Sequence, residues 1–126
     1  MKLYESGEDY LEDILILEKE RGFVRSADIA KRTGYARASI SIAVKNLREG
    51  GYLTIDEFRH LHLTEQGQQV AEKIYERHRI LTELLTRLGV PPETAERDAC
   101  KIEHDLSEET FEAIKQFMTV HDAAPV

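Results

Sequence analysis

Apolar residues recur every three or four positions along most of the chain, as they do on one face of an α-helix. The longest such stretch, residues 64–89, ends at Gly89, and two prolines follow shortly after it. Glycine commonly ends a helix and proline commonly starts one, so two helices should be separated at this point. Helices are therefore expected over residues 7–22, 64–89, 93–106 and 107–120.

The stretch over residues 26–51 has the pattern of two shorter helices joined by a tight turn. Ser26 is placed to cap the first of them, and Gly34 is placed to end it. Such a pair is typical of a helix-turn-helix, whose second helix contacts the bases of DNA. That second helix, within residues 36–51, should bury a face formed by Ile40, Val44 and Leu47.

Two short runs rich in apolar and β-branched residues come next, YLTID (52–56) and RHLHLT (59–64), around the polar turn DEFR. Runs of this kind on either side of a turn predict a two-stranded β-hairpin. A hairpin directly after a helix pair is the wing of a winged helix-turn-helix. The predicted fold class is thus mainly α with a small β-hairpin, a winged helix-turn-helix followed by a helical second half.

Charge supports the same interpretation once its distribution is considered. The 126 residues have a net charge of −7, which at first argues against nucleic acid. Residues 25–50, however, contain six Lys or Arg and only two Asp or Glu. This basic segment coincides with the helix pair, so it is expected to bind double-stranded DNA. The candidate DNA contacts are Arg37, Ser39, Ser41 and Lys45 on the second helix and Arg59 on the hairpin.

Composition indicates a folded protein of the cytoplasm. Hydrophobic residues make up 41% of the chain and charged residues 33%, which is typical of soluble globular domains. The N-terminal segment is acidic, unlike a signal peptide, and no apolar run approaches the roughly 18 residues of a membrane span. Cys100 is the only cysteine, so it is expected to be reduced and available for packing or for binding a metal ion.

Residues that bind metal ions occur in three of the predicted helices. His78 lies at the margin of the apolar stripe of the long helix, and CKIEH places Cys100, Glu103 and His104 on one helical arc of about 100°. Each group also has an explanation without a metal, since acids suit the start of a helix and a lone histidine is commonly packed or exposed. Together they predict a site that forms when the helices pack. The first helix adds a cluster of acids whose mutual repulsion a cation would relieve: Glu8, Asp9, Glu12 and Asp13.

The donor types narrow the choice of ion without fixing it. The paired CxxC and HxxxH spacings of structural zinc sites do not occur in the sequence. Carboxylates and imidazoles suit Mn²⁺ and Fe²⁺, whereas a thiolate shifts the preference toward softer ions. The donor chemistry alone therefore leaves the metal open.

An acidic EDYLEDI helix, a winged helix, RHRIL and CKIEH follow one another in this chain. From about residue 5 to residue 118 this order resembles the diphtheria toxin repressor and manganese transport regulator family of metal-dependent transcriptional repressors. The resemblance implies a DNA-binding domain over residues 1–63, a metal-binding and dimerisation domain over 64–126, and no enzymatic activity. It assigns as metal ligands Asp9, Glu12, His78, Cys100, Glu103 and His104.

Two residues combine features of different branches of that family. Cys100 stands where the iron-responsive branch has cysteine and the manganese branch has glutamate. Asp9 stands where the manganese branch has aspartate and the iron branch has methionine. The implied cofactor is therefore Mn²⁺ or Fe²⁺, with one or two ions per subunit, in a short two-domain form of the family.

Partners follow from the same resemblance and from geometry. A single winged helix contacts only a few base pairs, so a homodimer bound to a palindromic operator is expected, controlling genes of metal homeostasis such as uptake transporters. Two alternatives remain at this point. One is a winged-helix regulator that senses an organic ligand or a partner protein, and the other, more remote, is a metal-dependent hydrolytic enzyme, although no nucleophile motif, phosphate loop or HExxH occurs.

Overall fold

The computed structural model describes the backbone of residues 5–123 and the side chains of residues 6–120. The described part is mainly helical with one antiparallel hairpin, so the predicted fold class is confirmed. None of the helices between residues 5 and 123 has the length and apolar character that a membrane span requires. In chain order the elements are α1 (Glu5–Arg21), α2 (Ser26–Thr33), α3 (Arg37–Glu49), β1 (Leu53–Ile55), β2 (Leu61–Leu63), α4 (Glu65–Arg87), α5 (Pro92–Ile102) and α6 (Glu108–Ala123).

The chain forms two compact units, one ending at Lys73 and one beginning at Ile74. The division falls within α4, whose first turns belong to the first unit and whose remainder belongs to the second. The predicted boundary between the DNA-binding and metal-binding domains, between residues 63 and 64, lies ten residues before this division, and it stays a prediction.

In the first unit α1 and α3 pack against the hairpin, and α2 packs against both of these helices. α1 buries the apolar face that its spacing predicts, and α3 buries Ile40, Val44 and Leu47 as expected. Gly34 ends α2 with φ 77°, and its N–H donates to the Ala30 carbonyl at 2.8 Å. The buried residues of α1 include Tyr10, Leu11, Ile14 and Leu17.

The start of α2 differs from the prediction. Ser26 is the first residue of the helix and not its cap. The flanking residue is Arg25, whose backbone N–H donates to the Asp28 carboxylate at 2.9 Å. Asp28 therefore supplies the side-chain hydrogen bond at this helix start, one turn inside the helix.

The hairpin pairs Leu53 with Leu63 and Ile55 with Leu61. Leu53 and Leu61 point into the core of the unit, while Thr54 and His62 face solvent, which is the alternation of a half-buried strand pair. The N–H of Leu61 donates to the Val24 carbonyl at 2.7 Å, so the hairpin is fixed to the segment that joins α1 to α2.

The second unit contains the end of α4 with α5 and α6. Pro92 stands in the first turn of α5, as predicted, and Ser107 accepts the N–H of Thr110 at the start of α6. α6 continues to Ala123, three residues past its predicted end at residue 120, and residues 124–126 lie outside the described residues. The core of this unit is formed by Ile74, Leu81, Ala95, Ala99, Phe111 and Met118.

α5 ends earlier than its apolar spacing predicts. It stops at Ile102, whereas the sequence pattern runs on to Leu106. Glu103 keeps a right-handed conformation, with φ −57° and ψ −26°, and its N–H still donates to the Ala99 carbonyl at 3.0 Å. Glu103 and His104 therefore lie in a turn that follows the helix and not within it.

Candidate functional site

Glu103 is a fully buried carboxylate in the second unit, with a side-chain exposure of 0%. Its Oε2 atom lies 2.9 Å from Nδ1 of His78, which α4 presents from 25 residues earlier in the chain. Burying a charged carboxylate away from water costs roughly several kcal/mol of free energy unless polar partners compensate for the lost hydration. The contact with His78 supplies one such partner.

The second oxygen of this carboxylate has fewer polar neighbours to replace its lost contacts with water. Oε1 of Glu103 is buried, and within the described residues it has no hydrogen-bond partner. Nε2 of His104 lies 3.5 Å from it, at the limit of a weak electrostatic contact. Buried polar atoms in folded proteins are nearly always satisfied by protein, water or an ion. A cation would satisfy Oε1, so the site fits a bound metal ion.

Cys100 completes the group within the same unit. One donor atom each from His78, Cys100 and Glu103 can be chosen so that all three lie within 4.8 Å of one another, with His104 adjacent in the chain. Cys100 belongs to the last turn of α5 and is exposed, whereas Glu103 follows that helix and is buried. An imidazole, a thiol and a carboxylate are thus gathered near the end of α5, and their role as metal ligands stays a prediction.

Arg77 is a structural residue of the site that sequence reasoning missed. Its guanidinium is buried, and Nη1 donates to the backbone carbonyls of Glu103 at 3.0 Å and Leu106 at 2.7 Å. Nη2 donates to the Glu108 carboxylate at 2.9 Å, and the group also lies over the Phe111 ring. Arg77 therefore holds the turn that carries the candidate ligands. Its position three residues after Ile74 on the apolar stripe of α4 is the signal that could have indicated burial.

His78 also has an open side. Its Nε2 atom lies 3.9 Å from the Glu96 carboxylate, and its side chain is 20% exposed. The residue lines a surface cavity of about 320 Å³ together with Tyr75, Thr82 and Glu96. A metal site needs a path by which the ion enters, and this cavity gives solvent access to one face of His78.

Asp9 and Glu12, the two remaining predicted ligands, lie on α1 in the first unit. Asp9 is half-buried, and Glu12 is 6% exposed, which is uncommon for a glutamate. Their participation in the same site as Glu103 stays a prediction.

The predicted DNA contacts are all accessible. The structure places Arg37, Ser39 and Lys45 on the exposed surface of α3, together with Ser41. Arg59 is exposed in the hairpin turn and has φ 67°, a left-handed conformation that is uncommon for a residue other than glycine. These positions suit contact with a duplex, and the contacts themselves stay a prediction.

Asp56 holds the hairpin turn together. One carboxylate oxygen accepts the N–H groups of Phe58 at 2.8 Å and His60 at 2.9 Å, and the other lies 2.8 Å from Nε2 of His62. The hydrogen bond with His62, followed by that with the His60 backbone, lowers the pKa of Asp56 from its usual 3.8 to about 2. This turn is therefore held by a carboxylate that is ionised at neutral pH.

Comparison with known proteins decides which family has this combination. Residues 2–61 match the family model of the iron dependent repressor N-terminal DNA binding domain, and residues 64–125 match that of the iron dependent repressor metal binding and dimerisation domain. The chain belongs to the iron-dependent repressor family. This family contains metal-dependent, DNA-binding transcriptional repressors and not enzymes, so the predicted function class is confirmed.

Curated members of the family are similar over most of this chain. The transcriptional regulator MntR of Escherichia coli O6:H1 is 38% identical over 116 residues, which cover 92% of this chain and 75% of that protein. The HTH-type transcriptional regulator MntR of Lysinibacillus sphaericus is 32% identical over 120 residues, which cover 95% of this chain and 86% of that protein. The match thus includes both halves of the chain.

Solved structures of the iron-dependent repressor family share the fold. The IdeR crystal structure from T. acidophilum has a TM-score of 0.78 and 28% identity, covering 89% of this chain and 53% of that one. The structure of the manganese regulator SloR has a TM-score of 0.79 and 25% identity, covering 94% and 55%. The chain therefore spans about half the length of these two solved structures.

Proposed function

We propose that this family member represses transcription in response to Mn²⁺ or Fe²⁺ bound at the Glu103 site. The proposed donors within the second unit are His78, Cys100, Glu103 and His104. Asp9 and Glu12 of α1 are proposed to donate to the same centre, which holds one or two ions per subunit. The genes under control are proposed to be those of metal homeostasis, such as uptake transporters, and the proposed compartment is the cytoplasm.

The Glu103 carboxylate is the observation that carries this proposal. It is completely buried, one of its oxygens faces an imidazole at 2.9 Å, and the other has no hydrogen-bond partner within the described residues. A divalent ion supplies the positive charge that these donors lack. Arg77 holds the backbone of the same residue, so the carboxylate is fixed in advance and does not have to be ordered when the ion binds.

DNA binding is proposed to depend on the donors of α1. This helix packs in the unit that contains α3, so residues that fix α1 also restrict where the α3 surface can be presented. Two such surfaces in a homodimer would match a palindromic operator with half-sites about one helical turn apart. Coupling between two sites is typically about 1 to 3 kcal/mol, so metal should raise DNA affinity by roughly 5-fold to 150-fold.

The choice between Mn²⁺ and Fe²⁺ is proposed to depend on Cys100. Carboxylate and imidazole donors accept either ion, whereas a thiolate favours Fe²⁺ over Mn²⁺ because it is a softer ligand. Cys100 is exposed and close to both His78 and Glu103, so its sulfur can be used or left out without rearranging the buried carboxylate.

The test is fluorescence anisotropy of labelled promoter DNA titrated with the protein under anaerobic conditions. Separate titrations contain Mn²⁺, Fe²⁺, Zn²⁺ or a chelator. The proposal expects tighter binding with Mn²⁺ or Fe²⁺ than with the chelator. Equal affinity under all four conditions would contradict it and would favour a regulator that senses an organic ligand or a partner protein.

A further inference from the structure

α3 has one large apolar side chain on its exposed surface. The buried face of this helix is formed by Ile40, Val44 and Leu47, and Ile42 is 63% exposed. At 100° per residue, Ile42 points about 200° away from Ile40, which is nearly the opposite side of the helix. The core of the domain therefore gains nothing from this isoleucine.

A single exposed apolar residue is common on protein surfaces and needs no explanation by itself. The surroundings of Ile42 are what distinguish it. Its exposed neighbours one turn before and one turn after are Ser39 and Lys45. The helix lies in the basic segment of residues 25–50 and within the residues that match the DNA-binding domain. Ile42 is thus an apolar group on a polar exposed face, in a segment that is basic overall.

We propose that Ile42 contacts the 5-methyl group of a thymine in the major groove and so contributes to operator specificity. The inference rests on the proposed function, in that α3 is taken as the helix that enters the groove. Thymine is the one base whose major-groove edge carries an apolar group, and apolar side chains contact that methyl in protein–DNA complexes.

The same geometry disfavours the other bases at this position. Guanine, adenine and cytosine present hydrogen-bond donors or acceptors in the major groove, and an isoleucine can satisfy none of them. Covering such a group without a partner costs free energy, whereas covering a methyl group gains it. Ile42 therefore selects thymine both by attraction and by rejection of the alternatives. The basic balance of residues 25–50, and their place within the residues that match the DNA-binding domain, identify the occupant as DNA.

Uracil substitution tests this contact directly, because uracil differs from thymine in the major groove only by the missing methyl group. An operator is first selected from random duplex DNA with the Mn²⁺-loaded protein, and each thymine is then replaced singly by uracil. Affinities are measured for the wild-type chain, for Ile42→Ala and for Leu88→Ala, a change at another exposed apolar residue outside the DNA-binding domain. Burial of one methyl group is worth roughly fourfold in affinity.

The expected result is that uracil at one thymine in each half-site weakens wild-type binding by about fourfold. With Ile42→Ala the same replacement should have no effect, and with Leu88→Ala the full effect should remain. A uracil effect that is identical in the wild-type chain and in Ile42→Ala would overturn the inference. So would a scan with no sensitive thymine in a protein that still binds DNA in response to metal. Failure of the wild-type chain to bind any DNA with metal would overturn both the inference and the proposed function.

Discussion

The guanidinium of Arg77 donates a hydrogen bond to the backbone carbonyl of Glu103 at 3.0 Å. The next residue of α4, His78, lies 2.9 Å from the Glu103 carboxylate. Two consecutive residues of one helix thus hold the main chain and the side chain of the same buried glutamate. The first fixes its position, and the second is available to share an ion with it.

Replacing Arg77 should weaken metal binding although Arg77 is not a proposed ligand. Arg77→Lys keeps the charge but cannot donate to the carbonyls of Glu103 and Leu106 in the same fork geometry. Loss of a residue that supports the ligands typically costs roughly 10-fold to 100-fold in metal affinity. Calorimetric titration with Mn²⁺ measures this, and Arg87→Lys, an exposed change near the end of the same helix, is the matched control. Equal Mn²⁺ affinity in both variants would refute a supporting role.

Cys100→Glu should shift the metal preference toward Mn²⁺. The change replaces a soft sulfur donor by a carboxylate at an exposed position, so the buried core is not disturbed. The ratio of DNA affinities measured with Mn²⁺ and with Fe²⁺ reports the preference, and Cys100→Ser separates loss of sulfur from gain of carboxylate. An unchanged ratio in Cys100→Glu would mean that the sulfur does not bind the ion.

Gly67→Ala should destabilise the first unit, against the usual helix preference. Alanine normally stabilises a helix interior by about 1 kcal/mol relative to glycine. Here a Cβ atom at residue 67 would overlap the backbone carbonyl oxygen of Tyr52, which cannot move aside without losing its hydrogen bond from Thr64. Overpacking of this kind costs about 1 to 3 kcal/mol. Urea unfolding should show the loss, with the exposed change Gln69→Ala as control, and an unchanged or higher stability would contradict the close contact.

The hairpin should depend on pH through Asp56. Its pKa is lowered in the folded state to about 2 from 3.8, so its contribution to stability is complete above about pH 4 and is lost as the pH falls toward 2. The difference in Tm between the wild-type chain and Asp56→Asn should therefore shrink between pH 4.5 and pH 2.5. Glu57→Gln removes a neighbouring exposed carboxylate from the same turn and is the control. A Tm difference that stays constant over this range would count against the proposed role of the Asp56 hydrogen bonds.

Local patterns were sufficient to predict most of the fold. The spacing of apolar residues identified the buried faces of α1 and α3, and Gly34 marked the end of α2 because its left-handed conformation suits glycine. The end of α5 could not be found in this way. Arg77, from a distant part of the chain, binds the carbonyls of Glu103 and Leu106, so a tertiary contact replaces the hydrogen bonds that a longer helix would have formed.

The candidate site shows the same division between local and tertiary information. Cys100 and Glu103 were predicted together because they lie three positions apart, a spacing that places two residues on one side of a helix. The approach of His78 to Glu103 joins residues 25 positions apart, and only the packing of α4 against the α5 turn creates it. The burial of Arg77 was missed because arginine is seldom buried. The backbone carbonyls that accept its hydrogen bonds are distant in the sequence, so no local pattern indicates them.

The most direct measurement of the central claim is an anaerobic Mn²⁺ and Fe²⁺ titration of DNA affinity for three proteins: the wild-type chain, Glu103→Gln and Glu109→Gln. Glu109 is an exposed glutamate on α6, so its variant makes the same chemical change away from the site. The wild-type chain and Glu109→Gln should gain DNA affinity as metal is added, while Glu103→Gln should keep the affinity of the metal-free protein throughout. A Glu103→Gln protein that responds to metal as the wild-type chain does would contradict the assignment of this buried carboxylate to the regulatory ion.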